Sequence, residues 1–256
     1  MTDIILNHRS IRKYKSDKIP EKTLDIILKA GIRASNTGNM QAYSIIVTQD
    51  ETKKQELLPL HFNQEAVKQA PLILTFCADL NRFTKWCKLR NANPAYDNFL
   101  WFYTASIDAV ITAQNCALAA EAEGLGICYM GTTNYTAEKI IEVLKLPKGV
   151  IPVTTLTVGY PDEAPYLTDR LPDNAVVHYE TYKDFSDEDI NKIYEHLEKS
   201  DFTKKLTEEN GTENLAQVFT EKRYTKENNI AFSLSLLDVV KKQGFWNHPQ
   251  KKRKLF

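Results

Sequence analysis

Between Asp97 and Glu123 the chain runs for 27 residues without a proline or a glycine, and apolar side chains occur on most sides of it. Phe99, Leu100, Phe102, Ala105, Ile107, Val110, Ile111, Ala113, Cys116, Ala117 and Ala120 are too many for one stripe. An unbroken segment of this kind predicts a helix, and a helix apolar nearly all round is a buried one. At ~1.5 Å per residue it extends about 40 Å, enough to cross a whole domain or a subunit interface. Gly124 and Gly126 stop it. The fold must therefore bury a helix of that length.

The remaining elements alternate around it. Pro20 opens a helix carrying Leu24, Ile27 and Leu28, which ends near Ser35 before the loop Asn36-Thr37-Gly38-Asn39. Strands are predicted at Ala42–Thr48, Leu72–Ala78, Ile127–Met130 and Val150–Val158, each rich in β-branched or apolar residues. A charged helix begins near Glu51 and a short one covers Thr136–Leu146. Two amphipathic helices, Asp187–Lys204 and Thr225–Gln243, follow the Pro161, Pro165, Pro172 passage. Length alone permits one large domain or two small ones.

Thirty-three basic residues balance thirty-three acidic ones, so no global field draws the chain to nucleic acid or to a membrane. The cluster Lys251, Lys252, Arg253, Lys254 reads as a solvated tail. No run approaches the ~18 apolar residues of a membrane helix, and Met1–Asn7 has no leader pattern. The four cysteines form no CxxC pair, so no metal site is expected. A reducing cytoplasm fits this composition.

Four constellations could carry chemistry. His8-Arg9-Ser10-Ile11-Arg12 packs guanidinium forks, an imidazole and a hydroxyl into five residues, suited to a phosphate or a planar carbonyl edge. It could equally be an exposed basic turn. The loop Ser35–Gln41 offers amide donors and acceptors, in Asn36, Asn39 and Gln41, that match a uracil-like edge, although turn residues are commonplace. Tyr129-Met130-Gly131 closes a strand with a glycine that permits close backbone approach or merely a turn. Arg170 stands alone in an extended passage and could be a rim salt bridge. No GxGxxG or GxxxxGK[ST] turn follows any strand, so a Rossmann or P-loop site is disfavoured.

Taken in order, His8 to Arg12, the loop ending in Gln41, FCADLNR at Phe76–Arg82, GLGICYMG at Gly124–Gly131, LTVGYP at Leu156–Pro161 and RLP at Arg170–Pro172 form a series. The series resembles the nitroreductase superfamily, closest to its branch of NADPH-preferring, major oxygen-insensitive nitroreductases and flavin reductases. The likeness runs from about Leu6 to Tyr182, and continues faintly to the Lys-Gln-Gly-Phe at Lys242–Phe245.

The resemblance implies an α+β three-layer sandwich, with helices on both faces of a mixed central β-sheet, in an intertwined homodimer. It makes residues 1–256 one domain, with a flavin-binding core at 1–185 and a helical extension at 186–256 packing on the partner subunit. It implies non-covalent FMN at the dimer interface, NADPH or NADH as donor, and nitroaromatic, quinone or flavin acceptors in ping-pong turnover. His8, Arg9, Ser10 and Arg170 would hold the phosphate and ribityl chain. Arg12 would stand near flavin N1, and Asn36, Asn39, Gln41, Gln64, Tyr129, Met130 and Gly131 would border the ring or ribityl. The region where relatives keep an arginine for the nucleotide phosphate reads Phe202–Leu206 here, which leaves Lys204 and Lys205 to serve instead. Thr168 stands where the branch often has a lysine. No protein acid, base or nucleophile is implied; a flavin-sequestering protein with little turnover would carry the same residues.

Overall fold

The computed structural model describes residues 2–248, so the basic cluster at 251–254 lies outside the described residues. These divide into two compact units: 2–166 together with 232–248, and 167–231.

In the first unit the chain forms α1 (Thr2–Leu6), α2 (Glu21–Ile32), β1 (Tyr43–Thr48), α3 (Glu51–Leu57), α4 (Glu65–Gln69), β2 (Leu72–Asp79), α5 (Asn81–Leu89), α6 (Phe99–Ala122), β3 (Gly126–Met130), α7 (Ala137–Val143) and β4 (Val150–Gly159). The sheet order is β1-β2-β4-β3. Every pair is antiparallel, from Tyr43↔Ala78 and Thr48↔Ile73 to Gly126↔Gly159. The expected mixed sheet thus has no parallel pair among the described residues. The helical connection from β1 to β2 leaves and re-enters at one end of the sheet, whereas a parallel neighbour needs a crossover along its length.

The two sheet faces are covered differently. Leu72, Leu74, Phe76, Ile127, Leu156 and Val158 pack with Ile27 of α2 and Ala109, Ala113, Cys116 and Ala117 of α6. On the other face Ile73, Cys128 and Met130 meet Ile11, Tyr14, and Ala66 and Val67 of α4. Burial on both faces explains why β2 reads as a continuous apolar run.

Helix α6 is capped by Asn98, whose side chain accepts from the Trp101 N–H, and stops at Gly124, which adopts a left-handed φ of 77°. Its burial differs from the sequence expectation. The buried side is built of small residues, Ala105, Ala109, Ala113, Cys116, Ala117 and Ala120. Large residues lie outward: Leu100, Tyr103, Ile107 and Val110 are 43–66% exposed. Small residues let α2 approach closely; an added Cβ at Gly31 would sit 2.3 Å from Cys116 Sγ.

The second unit contains α8 (Asp187–Lys199), α9 (Asp201–Asn210) and α10 (Leu215–Gln217), followed by a π-helical turn, Val218–Arg223. Where one helix was expected over Asp187–Lys204, Ser200 divides it: its hydroxyl accepts from the Thr203 N–H and starts a new helix. Leu206, Leu215 and Val218, with Leu197 beside them, form this unit's core. The last helix, α11 (Lys226–Lys242), ends in the first unit, where Val239, Val240 and Phe245 pack with Ala42, Ala78, Leu80, Ala105, Ala137 and Ile151.

Candidate functional site

The His8–Tyr14 segment is pinned by its backbone. Ile11 N–H donates to the Ile127 carbonyl (2.8 Å), Lys15 N–H to Tyr160 (2.9 Å), and Asp162 N–H to Lys13 (3.0 Å). Gly126 makes room for Ile11, because a Cβ there would lie 2.5 Å from Ile11 Cγ1. Tyr14 Oη donates to the Ile11 carbonyl (2.6 Å) and bonds Thr157 Oγ1 (2.9 Å); burial pushes its phenol far above the ordinary range. Glu163 accepts the backbone N–H groups of Arg12 and Lys13. Ile11 and Tyr14 thus face the core while Ser10 and Arg12 do not. Among the described residues, neither the Ser10 hydroxyl nor the Arg12 guanidinium is hydrogen-bonded or ion-paired. His8 Nδ1 bonds Glu121 Oε1 at 2.6 Å, and Arg9 donates to the Asn7 carbonyl at 3.3 Å. Arg9 also lines a cavity of about 630 Å³ with Gly124, Gly126, Pro161 and Glu163.

The end of β3 is tied to this segment through the cluster of Ile11, Tyr14, Val67, Cys128 and Met130. Successive strand residues point oppositely, so Tyr129 turns to the α6 face, where its hydroxyl donates to Gln114 (3.2 Å). Tyr129 and Met130 therefore cannot line one surface with their side chains. Gly131 opens a 3₁₀ turn, Gly131–Asn134, and space beside it is open: a Cβ would meet nothing within 4 Å. That turn is fastened to a second one, Leu58–His61, by His61 Nδ1 to Thr132 Oγ1 (2.8 Å) and by Thr136 Oγ1 donating to the Leu60 carbonyl (2.8 Å). Gln64 sits just beyond, at the start of α4, with an exposed side chain. Segments 8–14, 61–64 and 129–131 are thus gathered by one sequence-distant cluster.

The loop carrying Asn36, Asn39 and Gln41 is held elsewhere, near the Ala78–Leu80 end of β2. Thr37 N–H and Oγ1 donate to Asp108 Oδ1 of α6 (2.9 and 3.1 Å), Asn36 Oδ1 accepts from Gln41 N–H (3.1 Å), and the Arg82 guanidinium donates to the Gln41 carbonyl. Gly38, Asn39 and Gln41 all have φ of 52–55°. Within one chain this loop does not join the 8–14 cluster. Asp108 and His61 both escaped the sequence reading. A lone carboxylate inside an apolar helix was a usable signal for the first; a single histidine in a turn offers none.

In the second unit Arg170 is exposed, its Nη1 donating to Thr168 Oγ1 at 3.1 Å. Lys204 and Lys205 are exposed and paired with Asp201 (3.0 Å) and Glu209 (3.8 Å). Exposed pairs of this kind are worth little, so both ammonium groups can be redirected to a ligand. Burial pushes the Cys77 and Cys116 thiols up to about 12, so neither is a nucleophile near neutral pH.

Comparison with known proteins adds to this geometry. The model of the nitroreductase family matches residues 5–160. The chain is similar to the FMN reductase (NADPH) of Bacillus subtilis, at 39% identity over 70% of this chain and 73% of that protein. A solved structure of a presumed oxidoreductase from Bacteroides fragilis is 48% identical, covers 96% of this chain and 100% of its own, and superposes with a TM-score of 0.94. The NfrA1 nitroreductase of Bacillus subtilis is 33% identical over 95% and 98%, with a TM-score of 0.84. No helix among the described residues is long and apolar enough to cross a membrane.

Proposed function

The chain belongs to the nitroreductase family, and we propose that it is an FMN-dependent NAD(P)H oxidoreductase acting as a homodimer in the cytoplasm. The observation that carries this reading is the pinned segment His8–Tyr14, which presents an unbonded hydroxyl and guanidinium from the cluster that also holds Met130, beside Gly131 and its open approach. Free donors on a fixed backbone fit a phosphate and a planar carbonyl edge, and a residue without a Cβ fits a flat ring. When bound, FMN supplies the electron transfer itself, from the nicotinamide to the acceptor.

The protein's part is to bind, orient and balance charge. His8, Arg9 and Ser10 grip the phosphate and ribityl chain by charge-assisted hydrogen bonds. Arg12 stands at the ring and favours negative charge there. Gln64 and the backbone of Tyr129–Gly131 border the ring. Arg170 is assigned to the phosphate on the family resemblance alone, as are Lys204 and Lys205 to the nucleotide phosphate.

A second copy accounts for two features together. It covers the outward Leu100, Tyr103, Ile107 and Val110 of α6, which are costly to leave in water. It also brings the Asn36, Asn39 and Gln41 loop to a flavin held by the first. The chain then acts as one domain whose C-terminal helices pack on the partner. The acceptors that suit a shallow site above a flat ring are nitroaromatics, quinones and free flavin.

Purified protein is expected to be yellow, to release about one FMN per chain on acid treatment, and to sediment near twice its 29.3 kDa chain mass. Stopped-flow mixing with NADPH or NADH should bleach it before any acceptor is added. Release of FAD, or a colourless monomer that takes up no FMN, would contradict the proposal.

A further inference from the structure

Three rings outside the packed core converge from distant parts of the first unit. Tyr135 and Phe232 are stacked, with centroids 4.3 Å apart and planes 11° from parallel. Phe62 stands 6.3 Å from Tyr135 and 6.4 Å from Phe232, at 23° and 33°. None belongs to a buried hydrophobic cluster, and Phe62 is 51% exposed.

The backbone that presents Phe62 is unusual. Phe62 and Asn63 both lie in the left-handed region, at φ 57° and 55°. This conformation is uncommon for a bulky residue and is disfavoured for any side chain with a Cβ. Core packing does not repay it, since the ring is half in water. The bonds His61–Thr132 and Thr136–Leu60 hold the turn carrying Phe62 against the turn preceding Tyr135, so the relation of the two rings is fixed. Two amide side chains without an earlier role adjoin the rings in sequence: Asn63 after Phe62, and Asn134 before Tyr135. Among the described residues neither side chain is hydrogen-bonded. Flat π faces beside neutral donors suit a planar, uncharged ring bearing oxygen acceptors.

We propose that Phe62, Tyr135 and Phe232 form a stacking site for the ring of an aromatic electron acceptor, with the neighbouring amides as donors to its oxygens. The acceptor role rests on the oxidoreductase reading above; the ring-binding site itself does not. Its consequence is selectivity: the rings favour aromatic acceptors over small inorganic ones such as ferricyanide, which have no π face.

The test uses Phe62→Ala and Tyr135→Ala, with Phe62→Tyr as the variant that keeps a ring. The first readout is the dissociation constant of 4-nitrobenzamide, titrated without nicotinamide nucleotide so that nothing turns over, on protein with and without FMN. Loss of a stacked ring should raise it about 3- to 10-fold in both alanine variants, and Phe62→Tyr should restore it. The second readout is the ratio of kcat/KM for 4-nitrobenzamide to that for ferricyanide, which should fall by the same factor. Unchanged 4-nitrobenzamide binding would overturn the proposal. So would an equal loss for ferricyanide, an equal weakening of NADPH binding, or dissociation of the dimer, which would make the rings an interface or a nucleotide contact. If nicotinamide-driven ferricyanide reduction is absent from the unsubstituted protein, the oxidoreductase reading fails, while the titration still decides the ring site.

Discussion

Gly126→Ala is expected to destabilise the protein by roughly 1–3 kcal/mol, the usual cost of forcing a methyl into a filled space, and to weaken FMN binding with it. The added Cβ would lie 2.5, 2.7 and 2.9 Å from Cγ1, Cβ and Cγ2 of Ile11. A side-chain rotation moves the two γ carbons but not Cβ, so the backbone of residues 10–12 has to retreat. The Ile11 N–H to Ile127 carbonyl bond goes with it, and Ser10 and Arg12 lose their placement. Disturbing one charge-assisted contact costs on the order of 1.5 kcal/mol, about tenfold in the FMN dissociation constant. Ile11→Ala removes two of the three clashing atoms, so the double variant should be less damaged than the sum of the singles by about 1 kcal/mol. Urea melts of the four proteins, with an FMN titration of each, measure both effects. Additive losses would mean that Ile11 and Gly126 do not act as a pair.

Acid should unfold this protein partly through one histidine. His61 is fully buried, and burial lowers its pKa to about 4 from 6.5. The folded chain therefore keeps the ring neutral down to about pH 4, while the unfolded chain binds a proton near 6.5. His61's contribution is complete above pH 6.5, falls away between pH 6.5 and about 4, and changes no further below that. The difference corresponds to on the order of 3 kcal/mol. A neutral ring can donate from Nδ1 to Thr132 and leave Nε2, which has no partner, as a bare acceptor. A protonated ring would bury an unpaired N–H and a charge. Stability at pH 7 and pH 4.5, compared between the unsubstituted protein and His61→Gln, isolates this from the titrating carboxylates. The variant should lose less on acidification; equal losses would remove His61 from the account.

Elements whose cause is local were legible in the sequence. β2 reads as a strand because it is apolar everywhere but at Thr75 and Asp79, and α6 because nothing in it breaks a helix. The direction of strand pairing was not legible, since it depends on where connections re-enter the sheet. The division at Ser200 could have been read from a serine followed by aspartate, an N-cap pattern inside an otherwise helical stretch. Helix α5 was missed: its start depends on Asp79, which accepts from the N–H groups of Asn81 and Arg82 but belongs to the preceding strand. Of the candidate site, the His8–Arg12 donors were visible as residue types. Their mounting on Ile127, Tyr160 and Glu163 was not, because those partners lie more than a hundred residues away. The three converging rings share no spacing that a linear reading could detect.

The return of residues 232–248 to the first unit bears on how the chain is made. Val239, Val240 and Phe245 wall one end of the core against Ala42, Ala78 and Ile151, and Gly149 N–H donates to the Gln243 carbonyl. During synthesis the sheet and the central helix leave the ribosome long before those side chains exist. The nascent chain must hold β1 to β4 with one end of the apolar interior uncovered until residue 245 has emerged. Native packing of the first unit thus waits for residue 245, and a ribosome stalled before that point would display a sticky, protease-sensitive intermediate.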